Sequence, residues 1–241
     1  MKCHAILSLL TLLLGVAPNI QAQGFNILVP RDSVLEANSS TLQPFSIPSS
    51  RLQQVYLAGS LIDFDPNAVS QLTHLYFRLD TPTGTTINNR SADLLIRMST
   101  TPRAVDSLSP VFSENIGADE RMVFNGTILW NAFHQPGNSV QGLDLRIDLQ
   151  QPFSYRPSQG NLLIDFTVGN SIIRSQLDAW DRPGDSVSSV FGSSSSPSGT
   201  ARTLGLVTYF GGAIVVPEPS TFALFALGAA GLLFLRNKRK P

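Results

Sequence analysis

The chain has 241 residues, 17 basic and 17 acidic, so its formal net charge is zero. Its one cysteine, Cys3, sits in a leader-like N-terminus, which leaves the rest without a disulfide, a thiol nucleophile or a cysteine metal ligand. Lysine is absent between Lys2 and Lys238, and residues 23–215 carry twelve arginines against sixteen acids, so no basic stripe exists and no nucleic-acid partner is expected.

Residues 1–22 read as a secretory signal peptide. Lys2 and His4 make a weakly positive start, Ala5 to Ala17 form an apolar core, and Ile20-Gln21-Ala22 places a small residue before a cut between Ala22 and Gln23. Residues 23–215 then form one exported domain of ordinary size. Phe25 to Val29 opens it as a strand. Arg31 to Ser50 is rich in Ser, Asn and Pro and reads as a loop or edge segment. Leu52 to Ile62, Leu72 to Leu79 and Asp93 to Thr100 follow as strands, separated by Asp65-Pro66-Asn67 and Asp80-Thr81-Pro82-Thr83-Gly84 turns. In the second, Leu75, Phe77 and Leu79 share one face and His74, Tyr76 and Arg78 the other.

Val105 to Asp119 reads as a short helix or a long loop, and Arg121 to Asn131 as a strand before a turn at Pro136-Gly137-Asn138. Leu143 to Gln150 has the cleanest alternation: Leu143, Leu145, Ile147 and Leu149 point one way, Asp144, Arg146, Asp148 and Gln150 the other. Leu162, Ile164, Phe166 and Val168 repeat the pattern, and Ser171 to Leu177 and Asp185 to Phe191 are shorter runs. Gly192 to Gly199, with four consecutive serines, reads as a flexible surface loop, and Thr203 to Phe210 as the last strand. Nine or ten short strands with almost no helical period predict an all-β fold, an antiparallel β-sandwich of jelly-roll type.

Residues 216–241 have three parts. Residues 216–221 hold Pro217, Glu218 and Pro219; residues 221–235 are an apolar run; residues 236–241 carry Arg236, Lys238, Arg239 and Lys240. As a helix the run covers about 22 Å, short of the ~20 residues of a usual span unless the basic stems snorkel. A single transmembrane helix is expected, with the basic residues holding the C-terminus in the cytoplasm. A buried core helix is the competing reading, weakened by the absence of any polar face.

Pro-Glu-Pro, a short apolar helix and a terminal basic cluster, in that order, resemble the PEP-CTERM sorting signal of Gram-negative bacteria. The resemblance implies export through the Sec translocon, removal of the leader by signal peptidase, transient anchoring in the inner membrane and recognition by an exosortase. Cleavage at or beside Pro217-Glu218-Pro219 would then release the protein to the cell surface or an extracellular polysaccharide matrix. Two internal runs, Asn115 to Glu120 and Gly160 to Phe166, resemble stretches of other exported proteins with this tail.

No catalytic residue set stands out. Gly184-Asp185-Ser186 is similar to an esterase nucleophile motif but lacks a downstream Asp-x-x-His, so it reads as a turn into a strand. His74 and His134 read as surface histidines. Asp63, Asp65 and Asn67 place oxygen ligands at alternate positions, a candidate for calcium, with Asp178, Asp181 and Asp185 a second acid-rich turn. Turn chemistry beside Pro and Gly explains both equally, and no other cofactor is expected. For carbohydrate, Trp180 is the leading stacking residue, in an expected loop, beside Trp130, Tyr56, Tyr76 and Tyr155, with burial in the core as the competing reading. The expected function is a non-enzymatic surface or matrix protein, structural or carbohydrate-associated. The alternative is a secreted polysaccharide hydrolase with paired carboxylates such as Asp144 and Asp148.

Overall fold

The run Leu162-Leu163-Ile164-Asp165-Phe166 is buried at all five positions, which requires cover on both faces of its strand. In the computed structural model, which describes residues 22–31, 38–61, 67–80, 86–133 and 145–215, this strand lies inside a six-stranded sheet. In chain order the strands are β1 (Ala22–Val29), β2 (Ser39–Thr41), β3 (Ser50–Tyr56), β4 (Val69–Phe77), β5 (Thr86–Thr101), β6 (Arg121–Phe133) and β7 (Leu145–Tyr155). They continue as β8 (Asn161–Ser171), β9 (Leu177–Trp180), β10 (Val187–Ser193), β11 (Thr200–Arg202), β12 (Gly205–Leu206) and β13 (Thr208–Val215). The chain is all-β. Its sheets have the orders β11-β10-β3-β8-β5-β6, β1-β13-β4-β7 and β12-β9-β2, and their registered pairs are antiparallel. Residues 24–214 form one compact unit, and the residues outside it lie almost wholly outside the described part.

One apolar core takes side chains from both larger sheets. Phe45 meets Phe77 of β4 edge-on at 5.2 Å and Phe166 of β8 at 5.8 Å, and the latter two lie 5.9 Å apart. Tyr56 of β3 packs edge-on against Phe210 of β13 at 4.8 Å, and its hydroxyl reaches Thr208 Oγ1 at 2.8 Å. Burial and that low-dielectric setting push the Tyr56 phenol well above its usual range. Where β6 and β7 meet, the Gln150 side-chain amide takes the place of a strand: it accepts from Asn125 N–H and donates to Asn125 O, each at 3.1 Å.

A second, smaller core covers the outer face of the six-stranded sheet. It joins Val55, Leu163 and Val190 from three strands to Leu108 and Phe112 of the segment 102–120. That segment is a loop with one 3-10 turn at Phe112–Asn115. Polar groups fasten it. Asp165 is 3% exposed and accepts from Arg51 Nε at 2.9 Å, Arg51 Nη2 at 2.5 Å and Gln53 Nε2 at 2.7 Å. Gln53 also donates to Phe112 O at 3.1 Å and accepts from Asn115 Nδ2 at 2.9 Å. At Gly117 the loop lies so close to β5 that a Cβ would stand 1.8 Å from Thr100 O, so only glycine fits. The runs 115–120 and 160–166 are thus joined through Gln53.

Several expected boundaries move. The strand expected over Leu52 to Ile62 stops at Tyr56, because Asn161 Oδ1 accepts Ala58 N–H at 2.8 Å and the chain turns into a 3-10 turn, Ala58–Leu61. Ser171 to Leu177 is not a strand; it links β8 to β9. The strand expected over Thr203 to Phe210 divides, β12 pairing with β9 and β13 joining the four-stranded sheet. The serine-rich loop 192–199 is a hairpin turn bonded into the fold: Ser194 N–H donates to Ser49 O at 2.9 Å and Gly199 N–H to Pro110 O at 2.9 Å. Arg78, expected on the polar side of its strand, is 3% exposed and paired with Asp178 of β9, because the three-stranded sheet covers that end of β4.

Replacing Asp165 by Ala strands the Arg51 guanidinium and removes one acceptor from the Gln53 amide. Urea unfolding of the full chain should show a loss of about 3 kcal/mol, with much of it restored in Arg51→Met/Asp165→Leu, where neither charge remains.

Candidate functional site

The sequence Asp181-Arg182-Pro183-Gly184-Asp185-Ser186 cannot extend a strand, because Pro183 lacks an N–H donor and Gly184 takes φ +76°. It forms a turn leading into β10, as the sequence indicates for Gly184-Asp185-Ser186. Asp185 Oδ1 accepts Val187 N–H at 2.7 Å, while its Oδ2 is buried with no hydrogen-bond partner among the described residues. From the covering loop, Asp106 sits at φ 60°; its N–H donates to Ser188 Oγ at 2.8 Å and its Oδ2 accepts Gly184 N–H at 2.7 Å. Asp181 accepts a hydrogen bond from Thr203 Oγ1, and its N–H donates to Asn38 Oδ1 at 2.7 Å. Asp178, grouped with these acids by sequence, is instead withdrawn into its buried pair with Arg78.

Beside this turn is a pocket of about 140 Å³. Asp106 and Leu108 line it from the loop, Ser188 and Ser189 from β10, and Ala201, Arg202 and Thr203 from β11 and the residue after it. The Arg202 guanidinium lies 5.2 Å over the Phe191 ring and donates through Nη2 to Gln43 Oε1. Its Nε–H is buried without a partner among the described residues. Burial draws Arg202 below its ordinary pKa, against the opposing pull of Asp181. Burial, reinforced by the charges of Asp106 and Asp181, pushes the Asp185 carboxyl up to about 6, against Val187 N–H and Arg182.

A second polar surface lies on the outer face of the four-stranded sheet, where β4 and β7 register His74 with Asp148 and Tyr76 with Arg146. Arg146 Nε donates to Asp148 Oδ1 at 2.7 Å and Nη1 to Tyr76 Oη at 2.9 Å, with the guanidinium 5.4 Å from the ring centre. His74 is half-buried, edge-on to Tyr76 at 5.0 Å, with Nδ1 2.9 Å from Thr73 Oγ1. Burial, then the Arg146 charge, lower its pKa, with Asp148 opposing. The Asp148 carboxylate is thus already neutralised by Arg146, and Asp144 lies outside the described residues.

The other sequence candidates disperse. Trp130, Tyr56 and Tyr155 are fully buried and present no face to a sugar. Trp180 is half-buried against the core and ends strand β9, in place of the expected loop. Asn67 is exposed in a turn, and its companions Asp63 and Asp65 lie outside the described residues. Among the described residues no three His, Cys, Asp or Glu side chains converge as metal ligands. Gln23 is exposed in β1 beside Ala22. Pro217, Glu218, Pro219, Arg236, Lys238, Arg239, Lys240 and the run 221–235 lie outside the described residues, among which no helix is long and apolar enough to cross a membrane.

A family model described as the PEP-CTERM protein-sorting motif matches residues 215–240. The chain carries a PEP-CTERM sorting signal. The match begins on Val215, the last residue of β13. A PEP-CTERM signal implies an exported protein sorted by an exosortase. No curated protein matches the chain.

Sequence reasoning missed Asp106, Arg202 and the Arg78–Asp178 pair. Asp106 and Arg202 stand alone in polar surroundings and carry no signal. Asp165, an acid inside an apolar run, was the one visible mark of a buried ionic network.

Because the folded state raises the Asp185 pKa, its contribution to stability is fully present below the unfolded value of 3.8 and is lost as pH rises through about 6. Asp185→Asn keeps the acceptor for Val187 N–H. It should therefore raise the urea midpoint at pH 7 and show no gain below the unfolded value of 3.8.

Proposed function

We propose that this is an exported, non-enzymatic protein of the cell surface or extracellular polysaccharide matrix, with a structural or carbohydrate-associated role. The PEP-CTERM match at residues 215–240 carries the reading. Met1 to Ala22 directs the chain to the Sec translocon and is removed by signal peptidase between Ala22 and Gln23. Residues 221–235 form a single membrane helix, with Arg236, Lys238, Arg239 and Lys240 held on the cytoplasmic side. Exosortase then acts at or beside Pro217-Glu218-Pro219, and the domain leaves the membrane.

The exported domain suits that destination. Its two larger sheets share one aromatic core, which supports reading them as the layers of a jelly-roll-like β-sandwich. Arg146 holding Asp148 favours a binding or structural role over a pair of carboxylates poised for hydrolysis.

Intact-mass analysis of the protein from membrane, surface and medium fractions of its native host tests the processing. The expected product begins near Gln23, ends near Pro217-Glu218-Pro219 and lies outside the membrane fraction. Replacing Pro217, Glu218 and Pro219 together by Ala should leave an uncleaved chain in the membrane. A wild-type product that keeps Arg236 to Pro241 in the membrane would make the tail a lasting anchor and sink the proposal.

A further inference from the structure

We infer that the pocket between the covering loop, β10 and β11 binds one neutral, hydroxyl-bearing ring of monosaccharide size. The inference rests on the carbohydrate-associated reading above and assigns it a site. Size comes first. Pockets for drug-sized ligands run about 300–1,000 Å³, and this one is about 140 Å³, room for a single small ring.

The wall chemistry then selects the ligand. Arg202 lines the pocket and keeps one buried N–H, on Nε, without an acceptor among the described residues. Its guanidinium cannot turn freely, because Gln43 holds Nη2 and the Phe191 ring lies beneath it. Asp106, also in the wall, receives Gly184 N–H on Oδ2, and among the described residues its second carboxylate oxygen remains open as an acceptor. A buried donor without a partner is costly to the fold, so a ligand that fills it gains more than an ordinary hydrogen bond supplies. An anion would satisfy Arg202 but would meet the Asp106 carboxylate, with Asp181 and Asp185 close behind. A metal cation would suit the acids but would meet the arginine. A hydroxyl group does both tasks, accepting from Nε–H and donating to a carboxylate. Adjacent hydroxyls on a sugar ring offer that pair of roles together, and Leu108 supplies an apolar wall for the ring C–H groups.

The test is NMR titration of the full-length, isotope-labelled chain in detergent micelles. The probes are methyl β-D-glucopyranoside, methyl α-D-mannopyranoside and methyl β-D-galactopyranoside, with inorganic phosphate and Ca²⁺ as contrasting probes. At least one glycoside should shift the Asp106, Ser188 and Thr203 amides saturably, with a Kd on the order of 1 mM. Ala201 is exposed at the pocket rim, so Ala201→Leu should fill the pocket, leave the fold intact and abolish those shifts. Arg202→Lys keeps the charge but loses Nε–H, and should weaken binding about tenfold. The inference is overturned if no glycoside moves these amides, if the shifts persist in Ala201→Leu, or if phosphate or Ca²⁺ binds there in place of sugar. Co-sedimentation with the host's extracellular polysaccharide separates the two readings. Equal retention of wild type and Ala201→Leu would overturn the pocket and leave the matrix role standing. Glycoside binding in the pocket without polymer retention would uphold the pocket and remove the matrix role.

Discussion

A carboxylate in the middle of a central strand needs partners, and Asp165 obtains them only by enlisting much of the domain. At 3% exposure it would be unstable as an isolated charge. Arg51 and Gln53, two positions apart on β3, reach it across the strand pair. Gln53 then has a carbonyl to satisfy, and Asn115 supplies the donor. Asn115 in turn fixes the loop that carries Leu108 and Phe112 over the sheet, and Phe112 lies 4.5 Å beneath the Arg51 guanidinium. One buried charge therefore links β8, β3 and the covering loop in a single cooperative unit.

The same loop places Asp106 against the turn before β10. The pocket is a secondary consequence of the network: without the loop held down, one wall would be missing. Its other walls come from β10 and from β11, a three-residue edge strand whose register with β10 includes Ser189↔Arg202. A site built at the junction of a pinned loop and a short edge strand can vary in its lining without disturbing the aromatic core beneath.

Arginine is the only strong cation within residues 23–215, and its planar head recurs with one geometry. Arg51 lies over Phe112, Arg146 over Tyr76 and Arg202 over Phe191. A guanidinium tolerates such stacking better than an ammonium does, because it is more weakly hydrated and presents a flat face. Two of the three also pair with an acid across or along a strand, so the domain holds its charge in fixed positions. Among the described residues Arg202 has no such acid partner, and its Nε–H stays unfilled.

The sorting signal, the all-β class and the inward faces of the alternating strands are legible along the chain. Each of these is a local property: the tail is read along a continuous stretch, and a period of two follows from the pleat. Leu145, Ile147, Leu162, Ile164 and Phe166 accordingly lie where their alternation puts them. The packing of distant strands buries Arg78 and Asp178 together, a hundred residues apart in the chain. It also decided that Trp130, Tyr56 and Tyr155 belong to the core, and that Asp106 and Arg202 share a pocket. Those outcomes depend on which strands become neighbours. In an antiparallel fold that choice is made by long-range pairing and by the need to satisfy buried polar groups, neither of which leaves a periodic trace in the chain.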